Sequence, residues 1–129
     1  MSTDLKMLAW TAGLTLVLWI PYILSRIMTE SAAATLSYMA DSKPLPAWAE
    51  RAKKAHYNAV ENLAPFAALV LVANMTATAN GTTATAAVVY FWARVAHFIG
   101  HISGLPYVRT LTFTIGWIAC LVIFFAIIT

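Results

Sequence analysis

Apolar residues fill this chain in four long runs, and the polar residues that interrupt the runs fall at helical spacing. The runs predict helices over about residues 5–25, 48–77, 85–104 and 107–128. At about 1.5 Å per residue, each reaches roughly 30 Å or slightly more, enough to cross the hydrocarbon core of a bilayer. Pro21 and Pro65 fall inside the first two helices, where membrane helices tolerate them. Arg26 is expected to close the first helix. Asn80-Gly81 predicts the turn between the second and third helices, and Gly104 with Pro106 the turn between the third and fourth. The longest connection, about residues 29–46, holds Ser42-Lys43-Pro44-Leu45-Pro46, which reads as extended and irregular.

Two polar stripes break the apolar pattern. Arg51, Lys54, Asn58 and Glu61 recur every three or four residues ahead of the run 63–73. Arg94, His97 and His101 do the same inside the run 88–105. Ionisable groups near the centre of a membrane helix cost roughly 2.5–3.5 kcal/mol each on insertion scales. A chain retains several only where they face one another or a polar ligand. The second and third helices run antiparallel, which brings Glu61 level with His97 and Arg94, and Asn58 and Lys54 nearer His101 and Arg109. The expected result is a polar cleft inside the bundle, open at one membrane face.

Composition agrees. Of 129 residues, 61% are hydrophobic and only 10% charged, against about 25% charged in soluble domains. The chain reads as one all-α integral membrane domain, a four-helix bundle over residues 1–129. No nucleic-acid partner is expected. A single cysteine, Cys120, excludes an intrachain disulfide and a cysteine zinc cluster, and it reads as a packing residue in an apolar run. Arg26, Lys43, Arg51, Lys53 and Lys54 gather around the first loop and Arg109 lies near the third. The second loop and the C-terminus carry no Lys or Arg. The positive-inside rule then puts loops one and three in the cytoplasm and both termini outside.

The cleft describes its own ligand. Arg26, Arg51, Lys54 and Arg109 offer charge for carboxylates, and arginine adds bidentate geometry. Glu61 suits an ammonium group and Asn58 a peptide amide. A small anionic peptide with one amine, such as glutathione, matches this set. Other readings stand beside it: Glu61 and Arg94 as a buried ion pair, His97 as an interhelical hydrogen bond, Arg26 as a snorkelling terminus. His97 and His101 share one helical face and cannot both be axial ligands of one haem, which leaves His56 with His97 as the haem alternative.

The run Glu50-Arg51-Ala52-Lys53-Lys54-Ala55-His56-Tyr57-Asn58-Ala59-Val60-Glu61, followed by Pro65-Phe66, resembles the second-helix motif of the MAPEG family, the membrane-associated proteins in eicosanoid and glutathione metabolism. Arg94-Val95-Ala96-His97, then Arg109-Thr110 and a threonine-rich stretch, is similar to helices 3 and 4 of its microsomal glutathione transferase and prostaglandin E synthase branch. The resemblance implies a homotrimer of four-helix subunits in the bilayer, with glutathione bound between subunits near the cytoplasmic face. It implies that Arg51, Asn58, Glu61 and His97 hold the peptide, that Arg109 and Thr110 lie near its sulfur, and that Arg26 matches a basic residue ending helix 1. Relatives often carry arginine at the position of Tyr57, and tyrosine at those of His101 and Phe113.

The expected activity is that of a glutathione S-transferase or peroxidase. A free thiol has a pKa of about 8.5, and a nearby guanidinium such as Arg109 favours its charged form. The thiolate would attack a lipophilic electrophile or reduce a lipid hydroperoxide. The alternative is a non-catalytic subunit of a larger membrane complex. The short loops lean towards a bacterial inner membrane protein.

Overall fold

The computed structural model describes residues 1–37 and 43–129. Among these, every regular element is a helix: α1 (Thr3–Val17), α2 (Ile20–Thr29), α3 (Ala32–Thr35), α4 (Ala47–Met75), α5 (Gly81–Ser103) and α6 (Val108–Ile128). Ser42 of the expected extended segment lies outside the described residues, while residues 44–46 are irregular as expected.

The first predicted helix is two helices. Pro21 has no N–H to donate to the carbonyl of Val17, so the α-helical hydrogen bonding lapses at Leu18 and Trp19, although both keep right-handed helical dihedrals, and resumes at Ile20. The segment also runs on to Thr29, so Arg26 lies within α2 rather than closing it. Ser2 starts α1, its hydroxyl accepting from the amide of Leu5. Helix α5 begins four residues before the expected start. Asn80 Oδ1 accepts from the amides of Thr82 and Thr83, and the Asn80 amide donates to Thr83 Oγ1. Asn80-Gly81 is therefore a helix cap, not a turn. The reversal occurs earlier, where Ala77 adopts φ +59°. At the other end Gly104 closes α5 at φ +71°, as a left-handed C-cap should.

Among the described residues three segments are long and apolar enough to cross a membrane: Thr3–Thr29, Ala47–Met75 and Val108–Ile128. With 23 residues, α5 has spanning length, but its early threonines and Arg94, His97 and His101 keep it below the apolarity of the others. Large apolar side chains stand exposed along the bundle, including Trp10, Leu16, Trp92, Ile99 and Trp117. A soluble protein would bury them, whereas a lipid-facing surface leaves them out.

Helix α4 touches α1, α2, α5 and α6. Ala49, Ala52, Ala55 and Ala59 form its fully inward stripe, each buried. Their small size lets neighbouring backbones approach. The polar stripe lies beside them on the same helix. Further along α4, Phe66 stacks on Tyr90 of α5, with ring centroids 3.9 Å apart, and Val70 and Ile123 complete that core. At the same end Asp4, only 2% exposed, accepts from Asn74 Nδ2 at 3.1 Å and lies 3.3 Å from Thr83 Oγ1. This node ties the start of α1 to the end of α4 and the start of α5.

Candidate functional site

The α4 and α5 stripes meet the first turns of α6 around one polar cavity of about 470 Å³. Helix α4 supplies Lys54, Tyr57, Asn58 and Glu61, α5 supplies His97 and His101, and α6 supplies Arg109, Thr110 and Phe113. Seven residues expected from the sequence thus share one space. The spacing explains it: residues three and four apart on a helix point the same way. A smaller cavity of about 260 Å³ adjoins the first, sharing Lys54, His101 and Arg109 and adding Arg51 and Tyr107.

The electrostatics are lopsided. Arg51, Lys54 and Arg109 face a single carboxylate, Glu61, across the two cavities. Glu61 is exposed and makes no ion pair with Arg94, so that expectation fails. Arg94 is buried and donates instead through Nη2 to Asn58 Oδ1 at 2.6 Å. It stands behind the wall of the polar cavity rather than in it. Asn58 is thereby oriented from behind, which leaves its amide nitrogen for the cavity side.

His97 and His101 are buried, with rings 5.5 Å apart and edge to face. The Nδ1 atom of each is buried without a hydrogen-bond partner. Buried polar atoms are rarely left so, and here both belong to residues that line the cavity. His56 points elsewhere. Its Nδ1 lies 2.9 Å from the Tyr22 hydroxyl, and it lines neither of the two cavities that His97 and His101 border.

Besides Arg94, two expected members sit outside the polar cavity. Arg26 is buried in α2, beside Glu30 at 3.7 Å, and donates to the carbonyl of Lys43. It does not line the polar cavity. The i, i+4 spacing of Arg26 and Glu30 was legible in the sequence and favours this pairing. Arg51 faces only the smaller cavity, where its Nε donates to the carbonyl of Ile102 at 2.9 Å. Gly104 leaves room beside that bond: a Cβ there would lie a tight 3.2 Å from the guanidinium carbon.

The frame of the site escaped the sequence reading. Gly100, in the last turn of α5, and Gly104, its C-cap, bracket His101. A Cβ at Gly100 would overlap Cγ1 of Val108, so this glycine lets α6 begin close against α5. Tyr107, at φ +71°, holds a conformation that costs roughly 1–2 kcal/mol for an L-residue and turns the chain into α6. Tyr57 and Phe113 both face the cavity, at the positions where the sequence departs from the related pattern.

The model of the MAPEG family matches residues 7–129, nearly the whole chain. No curated protein matches the chain significantly.

Proposed function

The chain belongs to the MAPEG family of membrane proteins of eicosanoid and glutathione metabolism, and from that premise we propose that it is a glutathione-dependent transferase or peroxidase. Its second substrate in this reading is a lipophilic electrophile or a lipid hydroperoxide. The observation that carries the reading is the convergence of Lys54, Asn58, Glu61, His97, His101, Arg109 and Thr110 on one cavity of about 470 Å³. Small-ligand pockets are typically ~300–1,000 Å³.

The donor set fits glutathione. Lys54 and Arg109, with Arg51 next door, meet its carboxylates. Glu61 meets its ammonium group, and Asn58, braced by Arg94, meets an amide. His97 and His101 line the same space, and their imidazoles add hydrogen-bonding capacity. Arg26 leaves the ligand set because Glu30 and the Lys43 carbonyl occupy it.

When bound, glutathione supplies a thiol whose anion is the nucleophile or reductant. Arg109 favours that anion by its charge, and the Thr110 hydroxyl donates a hydrogen bond to it. The thiol proton is released to water at the cavity mouth, so neither residue has to accept it. Cys120 lines a different cavity, so no protein nucleophile enters. In the same reading α5 is a fourth span, three copies form a homotrimer, and the cavity opens towards the cytoplasm of a bacterial inner membrane. Loops one and three then face inward and both termini outward.

The test is ultraviolet difference absorbance on mixing glutathione with the purified protein in detergent. A thiolate band at neutral pH supports the proposal. Binding by calorimetry without the band leaves a pocket that does not activate sulfur. Absence of both overturns the proposal. It would favour the second reading, a non-catalytic subunit of a larger membrane complex. Tyr57, His101 and Phe113, where relatives often carry an arginine and two tyrosines, are the observation behind that second reading.

A further inference from the structure

Tyr107 is held where glycine would cost the fold less. Its backbone lies at φ +71° and ψ −30°, a region closed to most L-residues and open to glycine. The same turn does use glycine at its other positive-φ position, Gly104. Packing does not explain the tyrosine. It stands 85% exposed, and among the described residues its hydroxyl has no hydrogen-bond partner and its ring no stacking partner. Strain that is kept without a contact inside the chain argues for a use outside it. Ala77, the other non-glycine residue with positive φ among those described, has no functional group and borders neither polar cavity.

Tyr107 borders the smaller polar cavity, of about 260 Å³. The charged walls of that space are Arg51, Lys54 and Arg109, with no carboxylate among the residues lining it. Arg51 commits its Nε to the carbonyl of Ile102 at 2.9 Å, which fixes the guanidinium and leaves its terminal nitrogens for another acceptor. Buried His101 is a further wall. Such a space takes a carboxylate, and the phenol of Tyr107 can donate to one at the rim without adding charge. The sign of φ sets which way a side chain leaves a turn, so the strained backbone and the place on the rim are one feature.

We propose that Tyr107 is a ligand-binding residue: its hydroxyl donates to a carboxylate held by Arg51 and Lys54, and its ring closes the smaller cavity over that group. The identity of the ligand rests on the glutathione reading. A tyrosine serving only as an anchor at the membrane interface needs no strained backbone, and its loss would leave affinity in detergent unchanged.

The experiment is calorimetric titration of glutathione into the purified protein in detergent at neutral pH, with thermal unfolding of the same samples. Tyr107→Phe keeps the ring and the backbone and removes only the hydroxyl. It should bind glutathione about tenfold more weakly, the loss expected for one hydrogen bond to a charged acceptor. Tyr107→Gly should weaken binding at least as much, while its unfolding midpoint stays equal or rises, because the strain is gone. Binding by Tyr107→Phe equal to that of the unaltered protein overturns the proposal and leaves the glutathione reading standing. A lower midpoint for Tyr107→Gly also overturns it, since the ring then supports the fold rather than a ligand. No binding to the unaltered protein overturns this proposal and the glutathione reading together.

Discussion

Gly100→Ala tests the close approach that frames the site. The added Cβ would overlap Cγ1 of Val108 and lie 3.2 Å from its Cβ. Valine cannot swing aside freely, because its branched Cβ holds χ1 nearly fixed in a helix. Overpacking of this kind costs roughly 1–3 kcal/mol. Replacing glycine by alanine inside a helix gains about 1 kcal/mol, so the net loss is roughly 0–2 kcal/mol. The single variant is therefore a weak test and the cycle with Val108→Ala a strong one. Val108→Ala alone should cost about 1 kcal/mol for its partly buried methyl groups. In the double variant the overlap is gone, so the two changes should couple favourably by about 1–3 kcal/mol. Denaturant titration of the four proteins in detergent measures this. Glutathione titration should follow the same order, because Gly100, His101 and Arg109 line one cavity. Effects that add within about 0.5 kcal/mol, the mark of independent sites, would refute the packing of α6 on α5 at this point.

Three further outcomes are expected. Arg109 is exposed, so Arg109→Ala should leave unfolding unchanged while removing the thiolate band and turnover; undiminished activity sinks its proposed role. Asn58→Ala strips the buried Arg94 of its acceptor and should destabilise by about 1.5–3 kcal/mol, whereas Asn58→Asp keeps an acceptor and adds a counter-charge. Thermal unfolding in detergent distinguishes them, and equal losses in both variants count against the pairing. Asp4→Ala breaks the node with Asn74 and Thr83 and should lower stability by about 1–3 kcal/mol. An unchanged unfolding midpoint would place Asp4 outside any such node.

The sequence by itself determined the membrane character, the helical class and the face of α4 that carries the site. These follow from local properties. Apolar runs of spanning length have one favourable environment, and polar residues spaced by three and four fall on one side of a helix whatever surrounds them. His97 and His101 were legible for the same reason, as were Arg109 and Thr110 from their resemblance to a known pattern. The helix ends were less so. Asn80 could serve as turn or cap, and only the hydroxyl of Thr83 folding back onto it decides for the cap. Pro21 signalled a tolerated kink, yet the loss of one backbone hydrogen bond sufficed to divide the helix in two. Tertiary structure alone decided partners. By depth Glu61 stood level with Arg94 and Asn58 nearer His101, yet the packing of α4 against α5 gives Arg94 to Asn58. The same packing left a second, apolar cavity on the far side of Arg94. Gly100 against Val108 set how closely α6 meets α5. Helical periodicity fixes the direction of a side chain relative to its own axis. It does not fix how two axes are turned towards each other, because that depends on the fit of every small and large residue between them.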